Sequence, residues 1–482
     1  MESALGYEKE LQSYVDKEKA AVKLAAHVGE LLYNKGIELV LFRNHLLDTN
    51  TTEILKLHDY AEKVVGKRIF TKTTSALAEE LCKMDLPAAK IDIGKLAHEW
   101  IHEHENFETK AAFLQNKLSG FGDDSQKIEP RDVVLYGFGR IGRLAARELI
   151  KQAGKGQQLR LRAIVTRNAS DDQIKKRAAL LSNDSVHGAF KGTVDVDLEK
   201  KALIINGQII QMIEASNPED IDYTAYGIDN ALVIDNTGVF TDKAALGRHK
   251  QAKGVSRVLL TAPGKEIPNI VYGINHTELE LENTHIFSAA SCTTNAISPI
   301  LKVINDKYGI EKGHIETVHA YTNDQNLLDN MHKKPRRGRS AAINMVITST
   351  GAGKAVTKVI PDLENKLTAN AVRVPTPNGS LAIMNLSLNG NTTVEEINAV
   401  VKDAALNGPL VNQIFYSIDE EMVSNDIIGN HCCSVFDAPA TIVSPDGRNA
   451  VLYTWYDNEY GYTKQVIRLA KYIAKVRRHI YY

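Results

Sequence analysis

The spacing of apolar positions changes twice along the chain, and each change predicts a different kind of structure. Over residues 1–128 the apolar side chains recur at helical intervals in a background rich in Lys, Glu, Leu and Ala. Ile54, Leu57, Ala61, Val64 and Val65 form one such stripe. Asn50 precedes it with Glu53 three residues on, the pattern of a capping box, in which two side chains each satisfy the other's free backbone N–H. Several helices are expected here and few strands. Residues 119–126, dense in Gly, Asp and Ser, mark the expected boundary.

From about residue 130 the rhythm alternates. Short apolar runs at 133–136, 161–165, 232–234 and 258–260 are separated by helical or loop segments, which predicts a mostly parallel sheet flanked by helices. Beyond Cys292, residues 381–388 and 450–455 alternate apolar and polar side chains, as an antiparallel sheet with one solvated face does. Residues 459–478 read as a helix whose basic end suits the negative pole of its dipole. No internal repeat or low-complexity tract is present.

Composition narrows the classes. The 482 residues are 43% apolar and 24% charged, with a formal net charge of −1, so whole-chain charge gives no reason to expect nucleic acid or an acidic membrane surface. The four cysteines, Cys82, Cys292, Cys432 and Cys433, lack zinc-ligand spacing, and adjacent Cys432 and Cys433 make a poor disulfide. Free thiols fit a reducing compartment. The N-terminal residues are acidic and lack an apolar core, so no signal peptide is expected. With no run of 18 apolar residues there is no membrane span, and a soluble cytoplasmic protein is expected.

Gly137, Phe138, Gly139, Arg140, Ile141 and Gly142 spell G-x-G-x-x-G between an apolar run and a helical one. That context fits a turn tight enough to bring a pyrophosphate against a helix N-terminus. The acidic residue that would bind a ribose 2′-hydroxyl about 20 residues on is missing. The second run ends instead in Thr166, Arg167 and Asn168, with Asp171 and Asp172 later, in an expected loop. Arg167 either pairs with a 2′-phosphate, which favours NADP, or points to solvent.

Cys292 sits at a strand-to-helix junction, where the helix dipole and free N–H groups favour a thiolate. His319, at the end of another strand-like run, is a candidate base. Spacing alone leaves open a second reading of Cys292 as a small buried hydrophobe.

Eight segments together resemble the glyceraldehyde-3-phosphate dehydrogenase family. They are 136–143 (YGFGRIGR), 184–193 (DSVHGAFKGT), 237–240 (TGVF), 291–295 (SCTTN), 319–322 (HAYT), 349–355 (STGAGKA), 372–376 (VRVPT) and 455–462 (WYDNEYGY). They stand in the family's order and spacing over roughly 350 residues, from about residue 130 to the end. The resemblance implies an α/β chain in three parts. An all-α N-terminal domain, 1–128, precedes a Rossmann-type NAD(P)-binding domain, 129–291 and 459–482. An α+β catalytic domain with an antiparallel sheet spans 292–458.

The resemblance also implies roles. Cys292 would attack the aldehyde of glyceraldehyde 3-phosphate, and His319 would take the proton and hold the developing alkoxide. Inorganic phosphate would release 1,3-bisphosphoglycerate. Asn458 would orient the nicotinamide, with Thr237 and Gly238 also on the NAD or NADP. Thr322 and Arg373 would bind the substrate phosphate. Ser291, Thr293, Thr350 and Gly351 would bind mainly the attacking phosphate. Tyr136 departs from the family, which usually has Asn there. Residues 323–329 and 335–339 look like the family's loop between subunits, which implies a homotetramer.

Three other readings remain. Asp324, Gln325 and residues 271–275 have the flavour of an erythrose-4-phosphate dehydrogenase, although Thr322, Thr350 and Gly351 argue for phosphate attack. His98, Glu99 and His102 match the zinc-protease motif H-E-x-x-H, yet the apolar stripe there is Leu96, Ala97, Trp100 and Ile101, which favours a solvated polar face. The N-terminal domain would otherwise serve regulation or partner binding, and nothing in it selects which.

Overall fold

The computed structural model describes residues 2–121 and 129–482. The chain divides into two compact units. The expected boundary at 119–126 falls largely outside the described residues.

The first unit comprises residues 1–130, 152–158 and 476–482. Its helices are α1 (Glu2–Glu30), α2 (Thr51–Tyr60), α3 (Thr71–Lys83), α4 (Ile93–Glu103) and α5 (Lys110–Lys117). The capping box at Asn50 is present: its side chain accepts from Glu53 N–H and the Glu53 carboxylate accepts from Asn50 N–H. The helical character is as expected, with one correction to an all-α reading. A four-stranded sheet runs through the unit in the order β2 (Asn44–His45), β1 (Glu38–Leu41), β3 (Ala89–Asp92) and the terminal strand His479–Tyr481. These strands are two to four residues long, too short for periodicity to tell from helix. Residues 476–482, grouped in the sequence reading with the helix before them, thus contribute the fourth strand, in parallel register with His479 opposite Ala89.

Buried Asp92 organises this sheet. It accepts from the backbone N–H of Phe42 at 2.9 Å and of Arg43 at 3.0 Å, and from the Arg43 guanidinium at 2.6 Å. It also caps α4 through Lys95 N–H. Phe42 and Arg43 both have positive φ, 41° and 74°, so the turn between β1 and β2 is held where backbone sterics alone would not hold it.

The second unit, residues 131–151 and 159–475, contains two larger sheets. In one, β4 (Arg131–Tyr136) lies between β5 (Leu159–Thr166) and Ala231–Asp235, all parallel. Val255–Leu260 and Ile286–Ser288 extend one side; Gln208–Glu214 and an antiparallel pair extend the other. The strand order reverses at β4, which is where an open α/β sheet leaves a crevice for a ligand. The other sheet is mostly antiparallel and is built on Ile310–Ala320, Leu367–Val374, Ser380–Leu388 and Asn449–Tyr456. This mixed α/β arrangement matches the architecture expected from the alternating patterns.

Candidate active site

The glycine turn follows β4 and opens α6 (Arg140–Ile150). Gly137 has φ +91°, and a Cβ there would lie 2.9 Å from the Thr237 methyl. At Gly142 a Cβ would meet the Gly137 carbonyl oxygen at 2.5 Å, so both glycines are fixed by backbone packing. Gly139 differs. Nothing lies within 4 Å of a Cβ built there, so the fold itself does not exclude a side chain. A pyrophosphate lying against the backbone would. Thr237 is pinned by Asp235, whose carboxylate accepts from its N–H at 2.8 Å and its hydroxyl at 2.7 Å.

A cleft of about 410 Å³ opens at this turn. Thr166, Arg167, Arg177 and Ser216 contribute its polar lining, and Phe138, Val165 and Phe240 part of its apolar wall. Among the described residues no carboxylate lines it. Arg177 has a buried Nε without a hydrogen-bond partner. Two guanidiniums with no acid between them fit a dinucleotide carrying an extra phosphate, and Arg167 is on the cleft wall. Arg140 serves differently. Its guanidinium binds the carboxylates of Glu459 and, at 3.1 Å, Asp184, so what it offers a cofactor is its backbone N–H in the first turn of α6.

Cys292 is the first residue of the helix Cys292–Tyr308. Ser291 caps that helix, its hydroxyl accepting from Thr294 N–H at 3.0 Å. Ala290, just before, has φ +55°, a left-handed conformation unfavourable for alanine. Its N–H donates to Ser288 Oγ, and its carbonyl accepts from the Tyr462 hydroxyl at 2.9 Å. The chain is thereby turned sharply to present the thiol.

The Cys292 Sγ lies 3.7 Å from Nε2 of His319. His319 sits near the end of Ile310–Ala320, and its Nδ1 is 2.7 Å from the Ala320 carbonyl oxygen. That carbonyl can only accept, so the Nδ1 proton points to it and Nε2 is left as the acceptor facing sulfur. Arg373 approaches from the neighbouring strand, donating to the Ala320 carbonyl at 2.8 Å. Burial, then the Arg373 charge, pushes His319 down to about 4. Burial raises the Cys292 thiol, while Arg373 and the Thr293 hydroxyl and N–H work against that rise. Burial therefore disfavours charge on either member of the pair, and the surrounding donors reduce the cost of charge when the sulfur attacks.

Thr293 is bound to the Tyr456 hydroxyl at 3.1 Å, and the Tyr456 ring meets His319 edge-on. The Asn458 carboxamide oxygen accepts from Ser380 Oγ at 2.8 Å, and Ser380 Oγ accepts from Ala320 N–H. This relay leaves the Asn458 NH₂ group as the part available to a ligand. Thr322 lies in the turn closed by Gln325 N–H onto its carbonyl. Thr350 and Gly351 precede the short helix Ala352–Thr357, which packs on the Cys292 helix.

The structure thus gathers Cys292, His319, Arg373, Thr293 and Asn458 into one hydrogen-bonded cluster, and the glycine turn, Thr166, Arg167 and Thr237 around the cleft. Sequence reading missed Ser380, Tyr456 and Arg337. Buried Arg337 donates to Thr348 Oγ1, pairs with Asp324, and adds to the depression of His319. Its signal was the arginine-rich run 335–339. His98, Glu99 and His102 form no metal cluster among the described residues. Glu99 instead accepts from the Tyr481 hydroxyl and faces Lys95 and Lys117.

Family models described as the NAD binding domain and the C-terminal domain of glyceraldehyde 3-phosphate dehydrogenase match residues 131–243 and 291–458. A glyceraldehyde-3-phosphate dehydrogenase-like protein of Pseudomonas aeruginosa is 47% identical over 454 residues, 93% of this chain and 98% of that protein. That match is longer than the chain beyond Pro130, so it reaches into the N-terminal unit. Glyceraldehyde-3-phosphate dehydrogenase of Clostridium pasteurianum is 42% identical over 351 residues, 72% of this chain and 99% of that protein. Glyceraldehyde-3-phosphate dehydrogenase 1 of Bacillus subtilis is 41% identical over 344 residues, 71% and 98% respectively.

Proposed function

Since the chain belongs to the glyceraldehyde-3-phosphate dehydrogenase family, we propose that it is the phosphorylating enzyme, converting glyceraldehyde 3-phosphate and inorganic phosphate to 1,3-bisphosphoglycerate. It is an NAD(P)-dependent oxidoreductase of that type. The observation that carries the finer reading is the Cys292 sulfur 3.7 Å from an imidazole nitrogen free to accept its proton.

Cys292 adds to the aldehyde carbon, and His319 Nε2 receives the thiol proton. The alkoxide that forms is held by imidazolium, and Arg373 and Thr322 hold the substrate phosphate. The Asn458 NH₂ group would orient a bound nicotinamide, whose chemistry would be to accept the hydride; the carbon held by Cys292 would then be a thioester. Phosphate held by Ser291, Thr293, Thr350 and Gly351 attacks that thioester, and the thiol leaves with a proton from His319.

NADP is the proposed preference, on the two arginines and absent carboxylate of the cleft. Gly137 to Gly142, Thr237 and Gly238 hold the pyrophosphate and neighbouring groups. A homotetramer is proposed as well. Leu327, Leu328, Met331, Ile343 and Met345 are 74–92% exposed in one segment, an apolar surface of the kind a second subunit covers. No helix among the described residues is long and apolar enough to cross a membrane. The free thiols support a cytoplasmic setting.

The test is a set of initial rates on glyceraldehyde 3-phosphate with NAD and with NADP, each with and without phosphate. Phosphate-dependent reduction is expected. Activity indifferent to phosphate, or seen only with erythrose 4-phosphate, overturns the phosphorylating assignment and leaves the dehydrogenase class.

A further inference from the structure

In the N-terminal unit, three side chains of different chemistry converge away from anything the dehydrogenase reaction uses. His27 and Glu30 lie one turn apart on α1, and Cys82 comes from the last turn of α3, which packs against α1. Cys82 Sγ is 3.8 Å from His27 Nδ1, and that nitrogen is 4.0 Å from Glu30 Oε2. All three ligand atoms lie within 4.8 Å of one another. From these positions we propose a zinc site that clamps α1 to α3, with water as fourth ligand.

The geometry is close to what the ion requires. Bonds of about 2.0–2.3 Å at tetrahedral angles separate ligand atoms by roughly 3.3–3.7 Å. The sulfur–imidazole separation needs to close by about 0.1–0.5 Å and the imidazole–carboxylate one by about 0.6–0.7 Å. One thiolate, one imidazole and one carboxylate form the mixed sulfur, nitrogen and oxygen set that suits zinc over magnesium or calcium. Their two negative charges balance the ion.

Access and chemistry agree with this. The Glu30 side chain is 49% exposed and His27 20%, so the ion has an entry path and the sulfur lies beneath it. The Cys82 thiol gives up its proton on binding such an ion. A divalent ion takes the place of that proton. Lys35, a cation whose charge reaches this site, donates to the Met84 carbonyl.

The test uses the full-length protein, stripped with chelator, equilibrated with zinc and exchanged into metal-free buffer. Zinc is counted by mass spectrometry in wild type and in Cys292→Ser, Cys82→Ser, His27→Gln and Glu30→Gln. The Cys292→Ser variant removes the other facing Cys–His pair among the described residues. One zinc per chain is expected in wild type and Cys292→Ser, and none in Cys82→Ser. Affinity should fall roughly tenfold or more in the two α1 variants, which keeps the proposal testable should Cys82→Ser fail to fold. Cobalt substitution should give a thiolate charge-transfer band that Cys292→Ser retains and Cys82→Ser loses. Zinc that disappears with Cys292→Ser, or that persists in Cys82→Ser and both α1 variants, overturns the site.

Discussion

His319 and Arg373 stand directly opposite each other in the parallel pairing of Ile310–Ala320 with Leu367–Val374, the arginine Nη1 3.1 Å from the imidazole Nδ1. Both groups reach the Ala320 carbonyl, so the proposed substrate-phosphate ligand and the proposed base share one acceptor. Arg373→Gln removes a charge that depresses His319. A base held low stays unprotonated until pH falls through its own value, so losing the cation moves the acid limb of the kcat profile to higher pH. The KM for the aldehyde should also rise about tenfold to a hundredfold, the scale of one charge-assisted contact. An unmoved limb in the pH–rate profile would contradict this account.

Cofactor choice should follow the cleft arginines. In Arg167→Ser and Arg177→Ser, kcat/KM with NADP should drop by roughly tenfold to a hundredfold while the value with NAD changes little. Equal losses with both cofactors would mean that the guanidiniums serve the fold and not a 2′-phosphate.

Ser380 donates to the Asn458 carboxamide oxygen, and a positioning role through Asn458 is predicted for it. Ser380→Ala frees the Asn458 carboxamide to turn, so kcat should fall about tenfold with little change in the dissociation constant for cofactor. Ser380→Thr, which keeps the hydroxyl, should restore most of it. A variant that loses cofactor affinity and kcat together would refute the relay.

Asp92→Ala removes the carboxylate that accepts from the Arg43 guanidinium and from three backbone N–H groups, those of Phe42, Arg43 and Lys95. The N-terminal unit should lose roughly 3–5 kcal/mol, the cost of removing one partner of a buried ion pair, and calorimetry should show an early transition. Dehydrogenase rates measured below that transition test whether the loss stays local.

Cys292 and His319 were legible as candidates because each stands at or just beyond the end of a strand-like run. That position alone left Cys292 open to a buried-hydrophobe reading, and their roles came from the family's motifs. The parallel sheet was legible because its strands read as separate apolar runs. Ser380 and Tyr456 carry no such mark. They are alternate positions in half-exposed strands, and only the pairing that sets Ser380 opposite Tyr456 brings them to the site. The small N-terminal sheet stayed hidden because its strands are brief and one is supplied from the far end of the chain. A tertiary contact of that range leaves no trace in local spacing.

That terminal strand has a consequence for biosynthesis. Lys95, just after β3, binds the carbonyl of Tyr482 across 387 residues of sequence. At about 5–20 residues per second, a ribosome takes roughly 20–80 s to cover that distance. For that interval β3 lacks one neighbour, and its unpaired N–H and C=O groups are open to whatever chain or chaperone meets them. The N-terminal unit, although translated ahead of the catalytic unit, is therefore among the last to be completed. A fragment cut at residue 128 would carry that open edge permanently, so an isolated N-terminal unit needs residues 476–482 supplied in trans or grafted on.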